Sequence, residues 1–260
     1  MHAFFDSHAH LSSEALYQNV AQILKRAQEK NVTAIMNICT DELSLTRGLE
    51  LSTLYPWIYQ AGATTPHDVE KEGEQMFAKF ASCARAGKLQ AIGETGLDYY
   101  YSHSDRSIQQ VFLRRYLKLA LECHLPVIIH CRDAFADFFK IIDQEDPHRS
   151  LKGVLHCFTG TAEEAEELVQ RGWMISLSGI VTFKKALSLQ EIAKQIPLKQ
   201  LLIETDSPYL APQKERGKIN EPSFVVQTAA FLADLKNISL EQLAKQTSTN
   251  AYYLFKIKNN

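Results

Sequence analysis

Six side chains of the kinds that bind metal ions stand at or beside the ends of short apolar runs. They are four histidines and two acids: His8, His10, Glu94, His130, His156 and Asp206. Polar groups in such places need bonding partners, because burial without a partner costs free energy. One or two divalent metal ions would satisfy imidazole and carboxylate donors together. The set therefore predicts a metal-dependent hydrolase.

His8 and His10 are separated by one residue, so both imidazoles lie on the same face of an extended segment. Both can reach one ion, although an isolated pair of this kind also occurs in structural or solvent-exposed roles. Asp6, just upstream, is placed either to hold the second ring nitrogen of a ligand histidine or to contact the metal itself.

Glu94 lies between Gly93 and Gly96 in a run that ends at Asp98. Glycines allow the backbone and a ligand to approach closely, although a turn with solvated acids is the alternative interpretation. Because a carboxylate has two oxygens, it can bridge two cations. Glu94 is therefore the natural centre of a two-metal site.

Asp206 follows another apolar run, and Glu204 precedes it by two residues on the same face. We predict that Asp206 is a ligand that also relays a proton and that Glu204 orients the attacking water. An acid before a proline more often caps a turn or a helix. The other five candidate ligands favour the metal-binding interpretation, so the predicted catalytic residues are Glu94, Glu204 and Asp206.

His130 and His156 each end an apolar run, and a cysteine follows each of them: Cys131 and Cys157. Each cysteine is expected to face away from its histidine, which favours imidazole over thiolate ligation. Arg132 is the predicted substrate contact, because a guanidinium group matches the geometry of phosphate oxygens. An ion pair between Arg132 and an acid such as Asp133 is the equal alternative.

The other histidines lack such contexts and are interpreted as ordinary residues: His2, His67, His103, His124 and His148. A serine-hydrolase elbow, a Gly-rich phosphate loop and a dinucleotide fingerprint are all missing from the sequence. Metal-dependent catalysis is therefore the predicted chemistry.

Eight apolar runs, nearly all followed by a helical pattern, must position these side chains. The predicted strands are Ala3–Ser7, Thr33–Cys39, Ile58–Ala63, Leu89–Gly93, Val127–His130, Gly153–His156, Met174–Leu177 and Gln200–Glu204. The clearest predicted helices are Glu14–Glu29, Ser107–Cys123, Ala162–Arg171, Pro222–Leu235 and Leu240–Phe255. This alternation predicts a single α/β domain over residues 1–260, folded as a (β/α)8 TIM barrel with its site at the carboxyl ends of the strands. An open doubly wound sheet is the alternative, but it would separate the first and eighth strands.

Net charge and cysteine content restrict the possible kinds of hydrolase and their location. A net charge of -2 argues against tight, sequence-independent wrapping of nucleic acid, but it does not exclude a nuclease, since bound cations add local positive charge. Five scattered cysteines without a CxxC pair favour reduced thiols. No signal peptide and no membrane span are expected, so the predicted location is the cytoplasm.

Six motifs, in order, resemble those of the TatD family of metal-dependent deoxyribonucleases, which are amidohydrolase-like barrels. The motifs are Asp6–Leu11, Gly93–Asp98, His130–Ala134, His156–Gly160, Glu204–Leu210 and Arg216–Pro222. The resemblance extends to Thr249-Asn250-Ala251, nearly the whole chain. Thr95 departs from the aliphatic residue more common in the family, and we expect no effect of it on catalysis.

The resemblance implies two divalent metal ions. The implied ligands are His8, His10, Glu94 and Asp206 for one ion, and Glu94, His130 and His156 for the other. Related barrels often bridge their metals with a carboxylated lysine on the fourth strand, and Glu94 occupies that place here. Imidazole favours zinc, iron or nickel, while the carboxylates also accept manganese or magnesium.

The function implied by the resemblance is hydrolysis of DNA phosphodiester bonds, commonly as a 3′-to-5′ exonuclease, with some family members acting on RNA. Single-stranded DNA is thus the expected substrate and RNA a further candidate; no membrane and no obligate protein partner is implied. The first alternative is a hydrolase of small esters, lactones or amides that uses the same binuclear site. The second is a metal-holding binding or assembly protein without turnover, which the presence of all six ligands and Glu204 argues against.

Overall fold

Eight parallel strands form one sheet in sequence order in this computed structural model, which describes residues 3–258. The strands are β1 Phe4–Ala9, β2 Val32–Cys39, β3 Ile58–Gly62, β4 Ala91–Asp98, β5 Val127–Arg132, β6 Gly153–Leu155, β7 Met174–Leu177 and β8 Leu201–Ile203. Each strand pairs with the next along the chain. Parallel strands need long crossovers, and helices supply them.

At least one α-helix follows every strand. The helices are α1 Glu14–Tyr17, α2 Val20–Glu29, α3 Glu42–Leu54, α4 Val69–Arg85, α5 Arg106–Cys123, α6 Phe135–Glu145, α7 Ala162–Gln170, α8 Leu187–Gln195, α9 Val225–Leu235 and α10 Leu240–Leu254. Short 3-10 turns cover Gly179–Thr182, Leu198–Gln200, Gln213–Glu215 and Pro222–Phe224. None of the helices in residues 3–258 is both long enough and apolar enough to cross a membrane.

The first and last strands meet at their carboxyl ends, which closes the sheet into a barrel. Ala9 and Ser207 form a parallel bridge. The backbone N–H of His10 donates to the Ser207 carbonyl at 2.7 Å, and that of Asp206 donates to the His8 carbonyl at 2.9 Å. The predicted TIM barrel is confirmed, and the doubly wound alternative is wrong.

Two apolar layers hold the barrel together. One fills the barrel interior and includes a residue from every strand: Phe5, Ala34, Met36, Ile38, Ala61, Ala91, Ile128, Val154, Met174 and Leu202. The other lies between the strands and the surrounding helices. In a TIM barrel the interior is therefore a packed core, and open space for chemistry lies at the ends of the strands.

Some predicted boundaries were wrong in instructive ways. Strand β4 continues past the predicted end at Gly93 to Asp98, because Gly96 pairs with His130 of β5. A side chain at Gly96, where φ is +150°, would clash with the His130 carbonyl. The helix predicted for Glu14–Glu29 breaks at Gln18 and Asn19 into α1 and α2.

Candidate metal centre

The barrel brings all six predicted ligands to one place at its carboxyl end. Strands β1, β4 and β5 carry His8, Glu94 and His130, while His10, His156 and Asp206 come just after β1, β6 and β8. Except for His10 and His130, these residues are buried. Residues far apart in sequence therefore point their donor atoms at a common centre.

Glu94 lies at the middle of the cluster. Its Oε2 is 3.4 Å from Nε2 of His8 and 3.7 Å from Nε2 of His10. Its Oε1 is 3.0 Å from Nε2 of His156 and 3.2 Å from Nδ1 of His130. Each carboxylate oxygen thus faces a different pair of imidazoles.

Asp206 completes the group around the first oxygen. Its Oδ1 is 3.4 Å from Nε2 of His10 and 3.5 Å from Nε2 of His8, and these two ring nitrogens are 3.2 Å apart. Around the second oxygen, Nε2 of His156 and Nδ1 of His130 are 3.4 Å apart. The cluster thus divides into two donor groups that share Glu94.

These distances fit divalent cations. Metal–ligand bonds of about 2.0–2.2 Å at tetrahedral angles separate neighbouring donor atoms by roughly 3.3–3.6 Å. The separations between Glu94 and the four histidines run from 3.0 to 3.7 Å. Imidazole nitrogens and carboxylate oxygens are also the donors that zinc, iron, nickel and manganese accept. The residues present can hold a metal.

The surroundings keep both acids charged. Burial would raise the pKa of Glu94, but the charge of His156 and hydrogen bonds from three histidines outweigh it and hold that pKa well below its usual range. Burial would also raise the pKa of Asp206, but hydrogen bonding from His10 and the nearby histidine charges lower it. Two carboxylates are therefore ionised in a buried place, which attracts a cation.

The histidines respond to these acids in different ways. Burial favours the neutral form of His10, His130 and His156, but neighbouring carboxylates outweigh it and raise their pKa values. Burial and repulsion from His156 lower the pKa of His8. A metal cation would compete with protons for the same ring nitrogens.

Glu204 lies behind His156. Its Oε1 accepts a hydrogen bond from the backbone N–H of Cys157 at 2.6 Å and is 3.5 Å from Nδ1 of His156. Its Oε2 is buried and has no hydrogen-bond partner within residues 3–258. One oxygen therefore anchors the loop after β6, and the other stays free to accept.

Asp6 does not hold the second ring nitrogen of a ligand histidine, which was one of the two roles expected of it. Its carboxylate accepts hydrogen bonds from the backbone N–H of Thr205 at 2.9 Å, the Thr205 hydroxyl at 2.7 Å and the backbone N–H of His8 at 3.4 Å. Burial raises the pKa of Asp6 to about 8, against the opposing effect of the Thr205 hydrogen bonds. Asp6 joins β1 to the end of β8, and within residues 3–258 its carboxylate has no hydrogen bond to a histidine ring.

Arg132 does not form the ion pair with Asp133 that was one interpretation. Within the described part of the chain its guanidinium has no acid within salt-bridge distance. The guanidinium carbon instead lies 3.7 Å from the centre of the Tyr100 ring and 5.1 Å from that of Tyr101.

Two residues near the centre were missed from the sequence. Asp98 places Oδ2 at 2.8 Å from Nε2 of His130 and 3.6 Å from Nε2 of His67. Asp98 thereby turns Nδ1 of His130 towards Glu94, as acids commonly do for ligand histidines. His67, interpreted as ordinary, forms a third group of metal-type donors with Asp98 and His130.

A signal for Asp98 was present, because it lies in the same short run as Glu94. No comparable signal exists for His67. It follows β3, and its approach to Asp98, the last residue of β4, depends on how the loop after β3 packs.

The fold and the donor set together define the class: a metal-dependent hydrolase built on a (β/α)8 barrel. A family model described as TatD related DNase matches residues 5–256. A crystal structure of YJJV, a TatD homolog from Escherichia coli K12, is similar with a TM-score of 0.91 at 29% identity, covering 98% of each chain.

Two relatives are similar over nearly their whole length. The metal-dependent hydrolase YabD of Bacillus subtilis (strain 168), named as uncharacterized, is 40% identical over 253 residues, covering 97% of this chain and 99% of YabD. The 3′-5′ ssDNA/RNA exonuclease TatD of Erwinia billingiae (strain Eb661) is 32% identical over 260 residues, covering 97% of this chain and 99% of that protein. The chain belongs to the TatD family.

Proposed function

We propose that this protein is a nuclease that hydrolyses phosphodiester bonds from the 3′ end of single-stranded DNA, with RNA as a further substrate. The observation that carries the proposal is the position of Glu94, whose two oxygens each face a separate pair of imidazoles. Such a site suits two cations about 3.5–4 Å apart, an arrangement used for phosphodiester hydrolysis. The similarity to the Erwinia exonuclease supports the nucleic-acid substrate.

Each donor group is assigned one divalent cation. The proposed ligands are His8, His10, Asp206 and Oε2 of Glu94 for the first, and His130, His156 and Oε1 of Glu94 for the second. Bound cations would polarise the substrate phosphate and lower the pKa of a water molecule between them.

The chain's own residues supply the proton transfer and the orientation. Asp206, kept ionised by its histidine neighbours, accepts the proton of the attacking water. Glu204 orients that water through its free Oε2. Arg132 contacts a neighbouring phosphate of the strand, since its guanidinium group is held in place by Tyr100 and not by an acid.

The test is incubation of the purified protein with end-labelled oligonucleotides under a panel of divalent cations. Labels at the 5′ end should give a ladder that shortens one nucleotide at a time, and labels at the 3′ end should be released first as mononucleotide. Asp206→Ala, prepared in the same way, serves as the inactive control. Cleavage of small esters or lactones without any cleavage of oligonucleotides would overturn the proposal in favour of the small-molecule alternative.

A further inference from the structure

Exposed tyrosine rings are concentrated at the end of the barrel that carries the metal centre. Four tyrosines, and no phenylalanine or tryptophan, are exposed within residues 3–258: Tyr100, Tyr101, Tyr209 and Tyr253. The first two follow β4, and Tyr209 lies beside His10, with ring centres 5.9 Å apart. Only Tyr253 belongs to the opposite end, on α10. Large apolar surface left in water at one place marks a binding site more often than chance.

Three rings after β4 and one arginine of β5 form a continuous surface, here called the aromatic ridge. Its members are Tyr100, Tyr101, His103 and Arg132. Tyr101 and His103 are stacked, with centres 5.2 Å apart and planes 16° apart. Tyr100 meets Tyr101 edge-on at 4.8 Å. The Arg132 guanidinium covers one face of Tyr100, yet this tyrosine remains 57% exposed.

The aromatic ridge leads directly to the metal centre. The Tyr101 ring lies 5.7 Å from the His67 ring, which lies 5.5 Å from the ring of His130. The backbone N–H groups of Tyr100 and Tyr101 donate to Asp98 at 3.0 and 2.9 Å, which ties the ridge to the residue that holds His130. A polymer bound at the metals would therefore continue over these rings.

We propose that the aromatic ridge binds unpaired bases of the substrate strand next to the phosphodiester bond that is cleaved, and so selects single strands over duplexes. This inference rests on the proposed nuclease function. Flat exposed rings stack on any base, and each stacked base strengthens binding severalfold or more. Arg132 adds a positive charge that suits the backbone phosphates. Bases inside a duplex are already stacked on each other and present no free face to the ridge.

The inference is tested with the double variant Tyr100→Ala/Tyr101→Ala. Its KM for a single-stranded oligothymidylate should rise about tenfold or more, because each stacked base contributes strongly to binding. Its kcat should stay within about twofold, since the alanines keep the backbone N–H groups that hold Asp98. Its preference for single-stranded over blunt duplex substrate should fall by a similar factor.

Two matched variants serve as controls. Tyr100→Phe/Tyr101→Phe keeps both rings and should behave like the wild type. Tyr253→Ala removes an exposed ring at the far end of the barrel and should also leave KM unchanged.

The outcomes separate this inference from the proposed function. An unchanged KM in the double alanine variant, with wild-type cleavage of oligonucleotides intact, would overturn the inference alone. A loss confined to kcat would also overturn it, because that result assigns the tyrosines to positioning Asp98. If the wild type cleaves no oligonucleotide under any cation, it is the proposed function that fails.

Discussion

The two ends of the barrel are made from the same eight strands but differ in chemistry. At the carboxyl end, four imidazoles lie around the two ionised carboxylates of Glu94 and Asp206. At the amino end, the last turn of helix α10 and Phe255 directly after it cover the barrel with aromatic rings: Phe5 of β1 meets Tyr252 edge-on at 5.2 Å and Phe255 at 5.9 Å. The carboxyl end therefore carries clustered charged groups, and the amino end is covered by apolar packing.

Because catalysis and apolar packing are located at opposite ends of the barrel, substitutions can change activity and stability separately. Clustered charges cost free energy to bury and are kept where they do chemistry, whereas apolar packing stabilises the fold at no chemical gain. Substitutions at the carboxyl end should therefore affect turnover and metal binding. Substitutions at the amino end should affect the free energy of unfolding.

The largest effect is expected at the carboxyl end. His130→Ala or Asp206→Ala should abolish metal-dependent cleavage of single-stranded DNA, because each removes a proposed ligand and Asp206 also accepts a proton. Far-ultraviolet circular dichroism should remain that of the wild type. Full activity in either purified variant would remove the basis for the comparison.

The next largest effect, on the free energy of unfolding, is expected at the amino end. Phe255→Ala should lower the free energy of unfolding by about 3–5 kcal/mol, because it leaves a cavity against Phe5. Turnover per folded molecule should not change. Chemical denaturation and an activity assay on the same preparation measure the two quantities.

A neighbouring residue gives the control for that substitution. Tyr253 lies on α10, two residues before Phe255, but is 70% exposed, so Tyr253→Ala should change the free energy of unfolding by less than about 0.5 kcal/mol. Equal losses from Phe255→Ala and Tyr253→Ala would mean that packing against Phe5 is not what stabilises this end.

A smaller effect, on metal affinity, is expected for a residue that contacts a proposed ligand of the metal centre. Asp98→Asn should weaken metal binding about 10- to 100-fold, because the amide holds the His130 ring less firmly in the orientation that points Nδ1 at Glu94. Metal titration of the protein gives the affinity without an activity assay. An unchanged affinity would show that Asp98 does not position His130.

The sequence was sufficient to predict the barrel and the meeting of six metal-type side chains at its carboxyl end. Each of the six donors ends or follows an apolar run, and a closed parallel sheet brings all such ends to one edge. The same reasoning could not locate His67 as a partner of Asp98, because that contact depends on how the loop after β3 packs.

The predicted end of one strand was wrong for a local reason. The prediction ended the fourth strand at Gly93, but β4 continues to Asp98, and the close approach of β5 requires glycine at positions 93 and 96 within the strand.

The most direct test is the number of metal ions held per chain, measured by elemental analysis after equilibration with zinc or manganese and removal of free ions. Two ions are expected in the wild type, and at least one should be lost in Glu94→Gln, whose amide cannot bridge two cations as a carboxylate does. Equal metal content and affinity in the wild type and Glu94→Gln would contradict this expectation.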